Sequence, residues 1–198
     1  MFDWLKNINK EHPEFWKNYL QRFGEQSARY VVLSLDCTGT NPEKDVILTI
    51  GATAVVNDEI LINDSFEVAI LQYIYMHDNG LSNDIIIKSE LPKLSEQHAI
   101  QNFLEYIDNA ILVGHRIQFE VDMLNAVLER MNAGRLKNQA LDIEIMHQKL
   151  LETTDDQFTV EEISKAYKLP LEEFTTTIDK AYTIALLFLK LMTRLGFK

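Results

Sequence analysis

The chain has 198 residues, a length that suits one domain with one hydrophobic core. Its formal net charge is −11, whereas tight binding to nucleic acids usually requires a basic surface. No apolar run reaches the roughly 18 residues that span a bilayer, and no signal segment opens the chain, so we expect a cytoplasmic protein without a membrane partner. The single cysteine, Cys37, excludes an internal disulfide, and the burial habits of cysteine favour a packing role.

Residues 1–28 are predicted to form a helical extension ahead of the main domain. Pro13 suits the first turn of a helix, and Gly24 suits its end. Between them, large apolar side chains recur at helical spacing: Phe15, Trp16, Tyr19, Leu20 and Phe23. This stripe either packs against the main domain, which we favour, or forms a homodimer or binds a protein partner.

The stretch from Tyr30 to Val56 contains two β-branched apolar runs joined by a polar turn at Asn41-Pro42. It predicts two antiparallel strands, and a third strand follows the turn at 57–59; the three lie near 30–36, 46–56 and 60–70. Side chains alternate along a strand, so Ser34 and Asp36 share one face. Polar groups at the end of a buried strand are costly without partners, which favours a functional role for this pair.

The second half of the chain alternates helices and short strands. Residues 71–92 are predicted to be irregular, and Ser95 to cap an amphipathic helix. A strand ending at Gly114 precedes a helix, and another short strand ends at Asp142, which we expect to cap the next helix. Thr159 and Glu162 have the spacing of a capping box, and a long helix closes the sequence.

The residues from Ser34 to Ala52 resemble the first motif of the DEDD, or DnaQ-like, 3′–5′ exonucleases. That motif reads Asp-x-Glu-Thr-Thr-Gly, then a polar loop and a strand of the form Ile-x-x-Ile-Gly-Ala. Thr38-Gly39 fixes the register and places Ser34 and Asp36 at the two carboxylate positions. The resemblance implies an α/β, ribonuclease H-like fold over residues 29–198, with a mixed five-stranded sheet flanked by helices.

A second motif, His-Asn-x-x-Phe-Asp in the family, is matched by His115 and Phe119. Arg116 replaces the asparagine, and Glu120 replaces the metal-binding aspartate. Asp122 would face elsewhere on a helix and is not expected to substitute.

The third motif, His-x-Ala-x-x-Asp-Ala, allows two registers. Ungapped alignment over Ala181–Leu189 places Thr175 at the histidine and Lys180 at the last carboxylate. A shift by one residue would place Asp179 at the carboxylate and Phe174 at the histidine. We favour the ungapped register, because an inserted residue rotates every later helical side chain by about 100°.

Active members of this family would hold two divalent ions with four carboxylates, while a histidine accepts a proton from water. In this chain the five corresponding positions are Ser34, Asp36, Glu120, Thr175 and Lys180. Only two of them are acidic, so the resemblance implies a catalytically degenerate protein that needs no cofactor. We expect Lys180 to occupy the former metal position and to pair with Asp36 or Glu120.

Three functions stay open at this point. The first is a degenerate protein that binds single-stranded nucleic-acid ends or nucleotides weakly, or a protein partner. The resemblance then places Leu35, Thr38, His115 and Phe119 around a terminal nucleotide. The second is an active, Mg²⁺- or Mn²⁺-dependent 3′–5′ exonuclease acting on DNA or RNA ends, with Asp36, Glu120 and Asp179 as ligands. The third is a scaffold or dimerisation protein without a nucleic-acid role.

Overall fold

The computed structural model describes residues 12–24, 27–72, 90–154, 156–169 and 176–196. Within them the chain forms six strands and six helices. The strands are β1 (Tyr30–Cys37), β2 (Ile47–Val56), β3 (Glu59–Leu71), β4 (Lys93–Ser95), β5 (Ile111–Gly114) and β6 (Ala140–Asp142). The helices are α1 (Glu14–Leu20), α2 (Glu96–Ile107), α3 (Ile117–Arg130), α4 (Ile143–Leu151), α5 (Val160–Ala166) and α6 (Thr177–Leu195).

The strands form one mixed sheet in the order β4-β3-β2-β1-β5-β6. The first three strands are antiparallel, and β4, β5 and β6 each pair in parallel with their neighbours. This sheet flanked by helices confirms the predicted ribonuclease H-like class and the antiparallel start. The turn between β2 and β3 is tighter than predicted: Asn57 and Asp58 both have positive φ, and Val56 already pairs with Glu59.

The predicted strand number of five is wrong, because the described residues contain a sixth strand, β4. It has only three residues, too few to show an alternating pattern. Its last residue, Ser95, is also the N-cap of α2, as predicted, and accepts a hydrogen bond from the His98 backbone amide. The sequence therefore indicated the cap at Ser95 but not the short strand that ends at the same residue.

Each face of the sheet carries its own group of helices. Val31, Leu33 and Leu35 of β1 point into a core shared with α1, α2 and α3. Val32, one residue out of phase, points into a second core shared with α4, α5 and α6. Ser34 and Asp36 follow Val32 at intervals of two residues, so β1 directs them toward the face that α6 covers.

Helix α1 is packed onto the first of these cores. Trp16 and Tyr19 are each 1% exposed. The Tyr19 hydroxyl donates to Asn138 Oδ1 at 2.6 Å and accepts from the Lys137 backbone amide at 2.8 Å. The packing interpretation of this aromatic stripe is therefore confirmed for these two side chains. None of the described helices is both long and apolar enough to cross a bilayer.

The N-terminus of α6 approaches the sheet at Gly51 of β2. A Cβ atom at Gly51 would lie 2.5 Å from the Ile178 backbone nitrogen and 2.5 Å from the Thr177 carbonyl carbon. Gly51 is also the cross-strand partner of Ser34. The missing side chain thus lets α6 start directly above the polar end of β1.

Gly51→Ala should lower the free energy of unfolding by about 1–3 kcal/mol, because backbone atoms of α6 would have to move away from the new methyl group. Urea titration followed by circular dichroism measures this change. Gly24→Ala is the matched control, since no atom lies within 4 Å of the added Cβ, and its effect should stay within about 0.5 kcal/mol. Equal stability of the parent and Gly51→Ala would contradict the close approach.

Candidate active site

The end of β1 brings two of the predicted site residues to the α6 face of the sheet. Ser34 is fully buried, and its Oγ has no hydrogen-bond partner among the described residues. Asp36 is exposed, and its Oδ2 accepts a hydrogen bond from Thr49 Oγ1 at 3.1 Å. The register of β1 against β2 shifts immediately after Asp36, so regular pairing ends at this site.

Glu120 lies in the first turn of α3 with only 4% of its surface exposed. The Leu35 backbone amide favours the charged carboxylate, while Oε2 has no hydrogen-bond partner among the described residues. A Cβ atom at Gly114 would lie 2.7 Å from Oε2, so that glycine makes room for the carboxylate. Burial raises the pKa of Glu120 well above its ordinary value, and the charge of Lys180 opposes this shift.

Asp179 and Lys180, the two alternatives for the last carboxylate position, have different surroundings at the N-terminus of α6. Asp179 forms a capping box with Thr176, accepting from the Thr176 backbone amide at 3.1 Å. Burial raises the pKa of Glu67 on β3, and the charge of Asp179 adds to this rise. Lys180 instead acts on groups at the other side of the site: burial raises the pKa of Glu120 and of Cys37, and the charge of Lys180 opposes both rises.

The predicted direct ion pair of Lys180 is not formed. The ion pairs of the described residues include none between Lys180 and either Asp36 or Glu120. The ammonium therefore influences Glu120 over a longer distance than a contact. Thr175 and Phe174, the two candidates for the histidine position, lie outside the described residues.

Cys37, the last residue of β1, packs partly buried against the core formed with α1, α2 and α3. Burial raises the pKa of its thiol to about 12, and the charges of Glu120, Asp36 and Asp45 act in the same direction. A thiol with such a pKa is a poor nucleophile at neutral pH, which agrees with the packing role expected from the sequence.

The loop between β1 and β2 is organised by Asp45, which the sequence analysis did not single out. Its Oδ1 accepts from Thr38 Oγ1 at 3.0 Å, and its Oδ2 accepts from the Asn41 backbone amide at 2.8 Å. Thr38 Oγ1 in turn accepts from the Val46 backbone amide. A Cβ atom at Gly39 would lie 2.5 Å from Asp45 Oδ2. The Thr-Gly pair of the motif is therefore a loop-forming element, and its hydroxyl is already engaged.

The second motif is locked by a polar network at the ends of β5 and β6. Arg116 has a left-handed backbone, with φ at 56°, and its guanidinium binds Glu144 through two hydrogen bonds of 3.0 and 3.2 Å. Glu144 also accepts from the Phe158 backbone amide at 2.7 Å. The Phe158 carbonyl contacts His115 Nε2 at 2.7 Å, so the imidazole is held by this network.

Asp142 caps two helices at once, as a structural residue. Its Oδ1 accepts from the Glu144 backbone amide of α4, and its Oδ2 accepts from the Ile117 backbone amide at the start of α3. The predicted capping role of Asp142 is confirmed. Asp122, which was not expected to be a ligand, pairs with Arg135 at 3.3 Å.

The two apolar residues expected near a terminal nucleotide are largely used by the core. Leu35 is 6% exposed. Phe119 is half-buried and packs against the core formed with α1, α2 and α3. The surface that they offer to a ligand is therefore small.

Comparison with known proteins shows the family. A family model described as Exonuclease, of the RNase T type, matches residues 31–170. The chain belongs to this DnaQ-like exonuclease family. The DNA polymerase III PolC-type of Lacticaseibacillus paracasei is 26% identical over 151 residues, which is 74% of this chain and 10% of the relative. The PolC-type enzyme of Staphylococcus epidermidis is 25% identical over 178 residues, which is 86% of this chain and 12% of the relative. The chain thus spans about a tenth of the length of these relatives.

Solved structures agree on the exonuclease fold. Exonuclease I of E. coli in complex with a dT13 oligonucleotide matches with a TM-score of 0.66 and 10% identity, covering 86% of this chain and 42% of that one. Cell-death related nuclease 4 matches with a TM-score of 0.63 and 12% identity, covering 85% and 64% of the two chains. At these identities the likeness shows the fold alone.

Exonucleases of this family are typically dependent on divalent metals, and the side chains at this site do not fit such a centre. Mg²⁺ requires several hard oxygen ligands in near-octahedral geometry. Here the first carboxylate position of the family holds a buried neutral hydroxyl, that of Ser34. The carboxylate of Glu120 is also buried and lies close to Gly114. Among the described residues, no three His, Cys, Asp or Glu side chains are grouped closely enough to hold a metal ion.

Glu120→Gln should become more stable relative to the parent as pH rises from about 5 to about 8. Below the ordinary glutamate pKa, the folded and unfolded chains both bind the proton, whereas between that value and the raised pKa only the folded parent does. The parent therefore loses stability with rising pH, and the neutral amide avoids this loss. Thermal unfolding at several pH values measures the difference in Tm.

Glu59→Gln, which removes an exposed carboxylate on β3, is the control for this experiment. A difference between Glu120→Gln and the parent that stays constant with pH, or that falls as pH rises, would contradict the burial of a titrating carboxylate at this site.

Cys37 should react with a thiol reagent more than about a hundredfold faster in denaturant than in the folded protein at mildly alkaline pH, because a pKa near 12 leaves little thiolate. The rate of modification, followed by mass spectrometry, tests this expectation. Comparable rates in the folded and denatured states would show that the thiol is accessible and ionised.

Proposed function

We propose that this chain is a catalytically degenerate exonuclease-fold protein that binds single-stranded nucleic-acid ends weakly and does not cleave them by two-metal chemistry. The observation that carries the proposal is the environment of Glu120. Its carboxylate is buried, the Leu35 backbone amide favours its charged form, and among the described residues Lys180 is the cation whose charge acts on it.

The charge of Lys180 opposes the binding of a divalent ion at this carboxylate. Two unit charges ~4 Å apart interact by about 4 kcal/mol at an effective dielectric constant near 20, and a divalent ion doubles that repulsion. Lys180 lies beyond ion-pair distance of Glu120, so its repulsion of an ion bound there is smaller than this value but has the same sign. Ser34 supplies a neutral hydroxyl where the family has a carboxylate. A catalytically degenerate site therefore explains these side chains better than an active site in which water molecules replace the missing metal ligands.

Binding of nucleic-acid ends is supported by the family and limited by the site. Exonuclease I, which shares the fold, has been solved in complex with single-stranded oligonucleotides. In this chain the His115 imidazole is held by Phe158, and Leu35 is buried. The net charge of −11 further weakens attraction to phosphates. Weak and salt-dependent binding is the expected result.

The alternative is an active Mg²⁺- or Mn²⁺-dependent 3′–5′ exonuclease with Asp36, Glu120 and Asp179 as ligands. Membership of the exonuclease family favours it. The capping box of Asp179 and its effect on Glu67 count against it, because this carboxylate is engaged on the β3 side of α6. A homodimer or protein partner on the aromatic helix α1 is less supported, since Trp16 and Tyr19 are buried within the chain.

Two measurements test the degenerate site. The parent protein should leave a 5′-labelled single strand intact in Mn²⁺, and its Tm should be the same in Mn²⁺ and in EDTA, because no donor set fits the ion. Asp179→Asn is the variant that separates the registers. An active enzyme would lose its cleavage in this variant, whereas a degenerate protein would lose only the favourable charge at the start of α6, about 0.3–1 kcal/mol of stability.

Progressive shortening of the strand from its 3′ end by the parent, abolished by Asp179→Asn, would establish the alternative. Anisotropy titration of the same labelled strand measures binding, which should weaken as salt rises. Absence of any binding at low salt would favour a scaffold without a nucleic-acid role.

A further inference from the structure

A groove of about 950 Å³ lies beside the loop that joins β1 to β2. We call it the α3 groove. One wall is formed by residues 41–43 of that loop, and the other by the second half of α3 and the residues after it. Its size falls within the range of about 300–1,000 Å³ that ligand sites occupy. It does not contain Glu120 or Lys180, so it is separate from the site described above.

The floor of the α3 groove is made of small residues. Ala126, Ala133 and Gly134 line it. A Cβ atom at Gly134 would lie 3.0 Å from the Trp16 ring, so the bare backbone at this position lies directly against α1. Small side chains on a rigid support leave space for an extended chain to lie in the groove.

The carboxylates of the α3 groove are only partly neutralised. Its two arginines are already paired, Arg135 with Asp122 at 3.3 Å and Arg130 with Glu96 at 2.9 Å. Glu43 and Glu129 are exposed on opposite walls, and neither carboxylate makes an ion pair within the described part of the chain. The groove therefore presents two uncompensated negative charges, which repel a phosphate backbone and attract a cationic group.

Asn125 adds a buried and directional hydrogen-bond donor to the α3 groove. It is 8% exposed, and its Oδ1 accepts from the Leu136 backbone amide at 2.8 Å. That bond fixes which end of the amide is the oxygen. The Nδ2 group, which has no acceptor among the described residues, is left for a ligand in the groove that Asn125 lines. An amide donor in this position suits a peptide carbonyl group.

We propose that the α3 groove binds an extended segment of a partner protein that carries lysine or arginine. Glu43 and Glu129 bind its basic side chains, and Asn125 Nδ2 donates to a backbone carbonyl. The occupant would also touch the loop that carries Thr38, because Asp45 ties Asn41 to Thr38. The proposal does not depend on whether the neighbouring site binds nucleic acid.

The test is anisotropy titration of the full chain with three labelled probes: the peptide Gly-Lys-Gly-Lys-Gly, its Glu-containing counterpart, and a five-nucleotide oligo-dT. Only the lysine peptide should bind with saturation. In Glu43→Gln/Glu129→Gln its Kd should rise about fivefold, since exposed ion pairs each contribute a fraction of a kcal/mol to about 1 kcal/mol. Glu59→Gln/Glu161→Gln, which removes the same charge from exposed positions outside the groove, should bind the peptide like the parent.

Amide NMR spectra of the ¹⁵N-labelled chain locate the binding. The lysine peptide should shift the side-chain NH₂ signals of Asn125 and the backbone signal of Gly134. Failure of the lysine peptide to saturate, equal binding of the two peptides, or an equal loss in both double variants would overturn the proposal. Shifts of the same signals by oligo-dT, with binding strengthened in Glu43→Gln/Glu129→Gln, would assign the groove to nucleic acid instead.

Discussion

The structure of the site depends on one buried carboxylate. Glu120 lies in the first turn of α3, shortly after β5 ends, and the Leu35 backbone amide of β1 favours its charged form. Burying a charge is costly unless other charges or donors compensate it. The Leu35 backbone amide and the distant ammonium of Lys180 compensate part of this cost. Burial nevertheless raises the pKa of Glu120 well above its ordinary value. Burial therefore sets the charge state of the carboxyl group at the centre of the site.

The exonuclease architecture of this chain rests on contacts that extend well beyond the site. The sheet order, the helices on both faces and the start of α6 above Gly51 are those of an exonuclease fold. These features rest on apolar packing and backbone pairing, which tolerate changes in the polar residues at one end of β1. Ser34 and Glu120 are buried beside that packing, so a replacement at either position has to fit the available space as well as the chemistry.

The fold could be predicted largely from local patterns. The β-branched runs gave the first three strands, and the cap residues Ser95, Asp142 and Thr159 marked three helix starts that the structure contains. Strand β4 was missed because three residues carry no periodic signal, and parallel pairing with β3 depends on the surrounding chain. Helix α1 could be recognised from its aromatic spacing. Its contact with Asn138 could not, because Tyr19 and Asn138 are far apart in sequence.

The candidate site was less accessible to the same reasoning. Motif spacing identified Ser34, Asp36 and Glu120, but it gave no information about which partners they have. Asp45 and Glu144 became visible only through contacts with residues elsewhere in the fold. The ion pair expected for Lys180 required a distance that sequence cannot supply, and the described residues do not form it. Residue identity predicted the charges, and only geometry could show how they are arranged.

The ion pair between Arg116 and Glu144 restricts which residues can occupy position 116. Family members carry asparagine at the position of Arg116, and asparagine tolerates a left-handed backbone well. Arg116→Asn would remove the guanidinium partner of the Glu144 carboxylate, and the Glu144 side chain is only 10% exposed. Asparagine at position 116 would therefore be compatible with the backbone but unfavourable for Glu144, so the residues at positions 116 and 144 are coupled.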